Sequence, residues 1–288
     1  MGATGILQCL DGRTGRIIWS RDILADHHQK NLQWGKSCSP LVFDDVVVVT
    51  LGDAAEPSLA AYGADSGRLH WQAGHDKPSY ATPVLATLAG RDQIIVVNAA
   101  SVAGHDASVG DLLWEFAWPG DMPKCSQPVP LGDDRVFISA GYGLDCALLQ
   151  IESVGGEFAV KKLWANKRMK TKFTNVVTRG GYLYGLDDGI LACLDLATGA
   201  LQWKGGRYGH GQVLLVDDVL LVTTEAGEVV LVDAVPTGHH EIERFAALTG
   251  KTWNNPALSW PNLLVRNDQE AACYELPLAN QGTASKGL

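Results

Sequence analysis

The sequence predicts an all-β propeller of four-stranded antiparallel blades, and three observations carry that expectation. First, a tag with Asp, a Gly four residues later and a Trp four after that recurs as "DGRTGRIIW" (Asp11, Gly15, Trp19), "DASVGDLLW" (Asp106, Gly110, Trp114) and "DLATGALQW" (Asp195, Gly199, Trp203). "GADSGRLHW" keeps Gly67 and Trp71 with Gly63 in the Asp position, and "DAVPTGHHEIERF" (233–245) is a stretched copy. Second, Trp19, Trp71, Trp114, Trp164 and Trp203 are spaced by 52, 43, 50 and 39 residues, the range of arrays whose unit is a few short strands. Third, the tags follow β-branched or alternating runs such as "LVFDDVVVVTLG" (41–52) and "VLLVDDVLLVTT" (213–224), bounded by Gly, Asp and Pro. Helical periodicity is hardly visible.

Taken in order, the units begin with a half unit at 6–24 that holds only a tag and its flanking strands. Five near-complete units follow, at about 37–75, 79–118, 124–167, 171–206 and 208–248, and three further strands fill 251–277. Most units open on a small polar lead-in before Pro: "SP" at 39–40, "TP" at 82–83, "SQP" at 126–128 and "NNP" at 254–256. A first strand, a tight turn, a second strand, an "LxCLD"-type strand and a Trp-bearing strand complete each unit. The two end pieces together supply five strands where one shared blade needs four. The expected whole is therefore a ring of seven or eight blades, with about six represented here. On this reading residues 1–288 are one propeller domain lacking its N-terminal blade or so, with a flexible tail at 279–288.

The tag is architectural on chemical grounds. Asp11, Asp106 and Asp195 can accept hydrogen bonds from the amides of their own turn, and Gly15, Gly110 and Gly199 supply a positive φ. The Trp fills the space between neighbouring units with a large, rigid hydrophobe. Asp44-Asp45, Asp133-Asp134 and Asp217-Asp218 resemble paired carboxylates for acid–base work. Each sits between two β runs, where Gly180-Gly181 does the same job in another unit, so they read as hairpin turns.

Composition narrows the function classes. With 23 basic and 32 acidic residues the net charge is −9, which argues against general affinity for nucleic acid. The basic run "KKLWANKRMKTK" (161–172) is read as a solvated loop. No stretch is long and apolar enough for a transmembrane helix, and the opening "MGATGILQCLDG" has no signal-peptide pattern. Of the six cysteines, Cys9 and Cys193 occupy the same repeat position, so free thiols are expected rather than bridges. The adjacent pairs His27-His28 and His239-His240 point to opposite sides of an extended chain and make poor joint metal ligands.

Several stretches carry a resemblance to a known family: "GATGILQCLDGRTGRIIW", "WGKSCSPLVFDDVVVV", "SAGYGLDCALL", "YLYGLDDGILACLDLATGALQW" and "EAGEVVLVDA". In these the chain resembles the pyrroloquinoline-quinone-like (PQQ-like) β-propeller repeat proteins, over essentially its whole length. That family mixes quinoprotein dehydrogenases with outer-membrane assembly lipoproteins. It implies a bacterial, extracytoplasmic or periplasmic setting, which the residues alone leave open.

The expected function is a non-catalytic binding or scaffolding module for a protein partner or small ligand on a propeller face. The alternative is a PQQ- and Ca²⁺-dependent dehydrogenase of alcohols or sugars. Adjacent cysteines and an Asp-rich calcium loop are missing from the sequence, so no cofactor is predicted, and PQQ with Ca²⁺ enters through the resemblance alone. No catalytic residue and no metal ligand is assigned. Ligand-binding candidates are the lead-in residues converging on a central channel: Trp34, Lys36, Tyr80, Lys124, Lys172, Phe173, His210, Trp253 and Asn254. The lead-in "RYGHGQ" (207–212) departs most from its siblings, with no Pro and a His between glycines.

Overall fold

Each predicted unit becomes one antiparallel sheet in the computed structural model, which describes residues 1–276. The tail expected at 279–288 lies outside the described residues. A two-stranded sheet pairs β1 (Ile6–Leu10) with β2 (Ile17–Asp22) and leads into a single-turn helix, α1 (Ile23–Asp26). Asp22 starts that turn by accepting from the Leu24 and Ala25 amides.

The first blade is β3 (Leu41–Phe43), β4 (Val46–Thr50), β5 (Leu59–Gly63) and β6 (Leu69–Ala73). The second is β7 (Val84–Leu88), β8 (Arg91–Val97), β9 (Ser101–Asp106) and β10 (Leu112–Ala117). β11 (Val129–Leu131), β12 (Arg135–Ile138), β13 (Cys146–Val154) and β14 (Glu157–Asn166) form the third. The fourth holds β15 (Val177–Arg179), β16 (Tyr182–Asp187), β17 (Ile190–Asp195) and β18 (Leu201–Arg207). The fifth holds β19 (Gln212–Val216), β20 (Val219–Thr223), β21 (Glu228–Asp233) and β22 (Glu241–Ala246). A last sheet joins β23 (Ala257–Ser259), β24 (Asn262–Arg266) and β25 (Ala271–Glu275). Every sheet is a simple meander, each strand bonded to its sequence neighbours.

Register shows that the repeat is structural. Cys9 faces Trp19, Ala61 faces Trp71, Leu148 faces Trp164 and Cys193 faces Trp203, each pair followed at once by a bulge. β1 and β2 are thus equivalent to the third and fourth strands of a blade, and the bulge re-aims the indole. The Asp pairs are turns as expected: Asp44, Asp133, Asp134 and Asp217 all take a positive φ, as Gly180 and Gly181 do. The cores lie between blades. One cluster joins Ile95, Val97 and Trp114 of the second blade to Val136, Ile138 and Leu149 of the third. Another joins Tyr184 and Leu191 of the fourth to Leu220 and Val230 of the fifth.

The tags supply specific locks across these interfaces. The Asp11 carboxylate accepts from the Thr14 amide and hydroxyl at 2.8 and 2.7 Å, and Asp195 treats Thr198 identically. That fixes the turn, but the tag glycine has a second duty that composition did not reveal. A Cβ built at Gly67 would fall 2.8 Å from Cδ2 of Trp19, the indole of the preceding sheet, and at Gly110 and Gly199 it would strike Trp71 and Trp164. The indole N–H then donates to the neighbour's backbone: Trp19 to Ala64 at 2.8 Å, Trp164 to Leu196 at 3.0 Å and Trp203 to Val235 at 2.8 Å. Trp71 rests on Gly110 without such a bond among the described residues, and Trp114 departs further. The third blade replaces its tag with the long β13–β14 hairpin, and Trp114 donates instead to Gln93 of its own blade at 2.6 Å.

Candidate functional site

Strand alternation decides what the lead-ins present to the channel. Side chains two apart share a side of the chain, so each lead-in offers one set inward and sends the other into the blade. The inward set is Ser37 and Ser39, Tyr80 and Thr82, Cys125 and Gln127, Phe173 and Asn175, then Gln212, and finally Trp253 and Asn255. Together with Asn254 and Arg266 these line one cavity of about 530 Å³. The intervening residues Cys38, Ala81, Ser126 and Thr174 are buried.

The same inward set laces neighbouring blades. The Ser39 amide donates to the Thr82 hydroxyl at 2.9 Å. Gln127 and Asn175 exchange two hydrogen bonds of 2.9 and 3.0 Å. Gln212, only 2% exposed, donates through Nε2 to the Phe173 and Trp253 carbonyls, both at 2.8 Å, and so ties three sheets together. The odd lead-in explains itself here. A Cβ on Gly211 would lie 1.8 Å from the Thr223 carbonyl oxygen, so the chain passes β20 too closely for any side chain at that position.

The mouth of the cavity is aromatic. Phe173 and Trp253 pack with centroids 4.9 Å apart, and His210 meets Phe173 edge-on at 6.0 Å. Trp253 is held by its indole N–H on Glu225 at 2.9 Å, and Lys251 Nζ lies 4.7 Å from its ring centroid. Burial works against the Glu225 carboxylate, but the His210 amide and the Trp253 indole hold it below the usual carboxylate range. Beside the cavity a groove of about 430 Å³ runs between Leu32, Trp34, Tyr80, Pro119, Met122 and Pro123. Trp34 and Tyr80 meet there edge-to-face at 5.7 Å.

Of the candidates read from sequence, Tyr80, Phe173, Trp253 and Asn254 line the cavity, and Trp34 lines the groove with Tyr80. Lys172 and His210 sit at the mouth, 3.3 Å apart, with Lys172 also 3.6 Å from Asp188 and 5.3 Å from the Tyr142 ring centroid. Lys36 and Lys124 do not face the channel, a correction with a simple cause. They share the parity of the buried set, and each ends on backbone carbonyls: Lys36 on Leu51 at 2.5 Å with the Thr50 hydroxyl, Lys124 on Ala99. Burial lowers both ammonium pKa values.

Sequence reasoning missed Ser37, Ser39, Thr82, Cys125, Gln127, Asn175, Gln212, Asn255 and Arg266. Ser39, Thr82, Gln127, Asn175, Gln212 and Asn255 do carry a signal, since the residue at the Pro-minus-one position, or its equivalent, is uncharged and hydrogen-bonding in each lead-in. Arg266 carries none, because it reaches the cavity from β24 rather than from a lead-in.

The cofactor implied by the resemblance can be tested against this lining. PQQ is a polycarboxylate that needs several cations, and its Ca²⁺ needs a set of oxygen donors rich in carboxylates. Arg266 is the one charged side chain among the described lining residues. Lys36 and Lys124 are spent on carbonyls, and Lys172 faces Asp188. The residues do not fit the quinone with its metal.

A family profile described as outer membrane protein assembly factor BamB matches residues 2–205. Among solved structures, BamB from Moraxella catarrhalis is similar at a TM-score of 0.69 and 15% identity, covering 94% of this chain and 76% of that one. A computationally designed protein, Ika8, is similar at a TM-score of 0.53 and 12% identity, over 95% and 91% of the two chains. At such identities the likeness concerns the fold. No curated protein matches the chain in sequence.

Proposed function

Because the chain belongs to the family of the outer membrane protein assembly factor BamB, we propose that it is a non-catalytic binding module that holds a protein partner on the face around the channel mouth, in an extracytoplasmic setting. One observation carries this reading. Large apolar side chains stand in water around that mouth: Trp34 is 60% exposed, Met122 43%, Trp253 42% and Tyr142 38%. Aromatic residues and Met on a concave, preorganised surface are the composition of an interface centre. No described helix is long and apolar enough to cross a membrane.

The test is a photo-crosslinking amino acid placed at Trp34, at Met122, and at Val154, which is 81% exposed on the rim hairpin. Expressed in a bacterial host, the first two positions should give discrete protein adducts and Val154 should not. Equal adducts from all three positions would refute the docking face. Oxidation of alcohols or sugars after loading with PQQ and Ca²⁺ would refute the non-catalytic reading.

A further inference from the structure

The channel cavity, as distinct from the groove beside it, has the surface of a small-molecule site, and we infer that it takes a neutral saccharide of one or two rings. This inference goes beyond the protein-docking reading and does not depend on it. A volume of about 530 Å³ lies within the roughly 300–1,000 Å³ of small-ligand pockets.

The lining defines the ligand class. Hydroxyls and carboxamides arrive from successive sheets, so donors and acceptors surround the space rather than converging on one point. After the lacing bonds are made, several groups keep unused capacity. Among the described residues Ser37, Asn254, Asn255 and Arg266 have no side-chain hydrogen bond, Gln127 keeps its Nε2 donor and Gln212 its Oε1 acceptor. A ligand matching them must itself bear many groups that both donate and accept, which is the character of a sugar hydroxyl. Among the described lining residues, a strongly anionic ligand would find one cation, Arg266, for its charge.

The other half of the match is the aromatic wall. A pyranose ring has an apolar C–H face as well as a polar rim, and it packs against aromatic side chains. Phe173 and Trp253 form such a wall at 4.9 Å, with Tyr80 also lining the cavity. The backbone of both is tied before any ligand arrives, since Gln212 holds their two carbonyls, and Glu225 holds the Trp253 indole itself. Little ordering is left for binding to supply.

The experiment is calorimetric titration of the full chain with maltose, cellobiose and N,N′-diacetylchitobiose, with inorganic-salt and gluconate controls. At least one disaccharide should bind saturably, with a dissociation constant of roughly 10 μM to 1 mM. Trp253→Leu should weaken it about tenfold or more, and Asn255→Ala about threefold or more. Asn255 is exposed and bonded to nothing described, so that variant folds even if Trp253→Leu does not. Val154→Ala, on the exposed rim hairpin away from the cavity, should leave the affinity unchanged. Retention on a resin of the matching polymer would assign glycan chain ends as the source, and binding without retention would assign free sugar. Failure of all three sugars, equal affinity in the Asn255→Ala variant, or tighter binding of gluconate would each overturn the inference.

Discussion

Replacing Gly67 with Ala tests the interblade lock against an internal control. Two penalties are expected at Gly67. Its φ of +63° is left-handed, which costs a residue with Cβ about 1–2 kcal/mol. The new methyl would also lie 2.8 Å from Cδ2 and Cε3 of Trp19, with a third ring atom at 3.2 Å. Moving a packed indole that donates to Ala64 is an overpacking event of about 1–3 kcal/mol. The total is about 2–5 kcal/mol. Gly15 holds the equivalent turn position with φ +69°, yet nothing described comes within 4 Å of its built Cβ. Gly15→Ala should therefore lose only the backbone part, about 1–2 kcal/mol. Parallel urea titrations followed by circular dichroism measure both, with Trp19→Leu added to complete a double-mutant cycle. The smaller side chain should recover part of the Gly67→Ala loss. Equal destabilisation at Gly15 and Gly67, or strict additivity in the cycle, would refute the lock.

Two further outcomes follow from other parts of the molecule. Gln212→Leu removes the donor to the Phe173 and Trp253 carbonyls, so stability should fall by about 1–3 kcal/mol in a thermal melt, and acrylamide quenching of tryptophan should rise as the mouth loosens. At Asp106 burial opposes ionisation, but hydrogen bonds from Ser108, Arg91 and the Ser108 and Val109 amides hold the carboxyl down at about 2. Its folded pKa lies below the unfolded value, so the stabilisation is present above about pH 4 and is lost as pH falls toward 2; it amounts to about 2 kcal/mol, and Asp106→Asn should flatten stability against pH in that window.

The fold was legible because its information is local and repeated. The Asp–Gly–Trp spacing, the β-branched runs and the turn pairs each report on a few neighbouring residues, and their recurrence marked the sheets almost strand by strand. What escaped was everything that depends on the next blade. Gly67 reads as a turn residue in its own tag, and only the structure shows Trp19 resting on it. Trp114 carries the same tag as its siblings, yet its indole turns inward because the third blade has a ten-residue β14 where a receiving turn would be. At the channel, convergence of the lead-ins follows from the repeat, but which residues face inward depends on strand parity. Lys36 and Lys124 stand out by charge, whereas Ser39, Thr82 and Gln127 mark the lead-ins before the prolines without announcing that they face the cavity.

The interblade lock has a consequence for how such a chain can change. Each lock is written by two adjacent repeats, with the indole in one and the glycine turn in the next, and it refers to no distant part of the molecule. A duplicated repeat therefore brings both a key for its successor and a receptacle for its predecessor, and it joins the series without redesign elsewhere. Loss is equally contained: the third blade has given up its receptacle, yet Trp71 still rests on Gly110 before it and Trp164 still locks after it, and Trp203 still donates to the stretched turn of the fifth blade. Heritable variation in such a sequence is editable one word at a time.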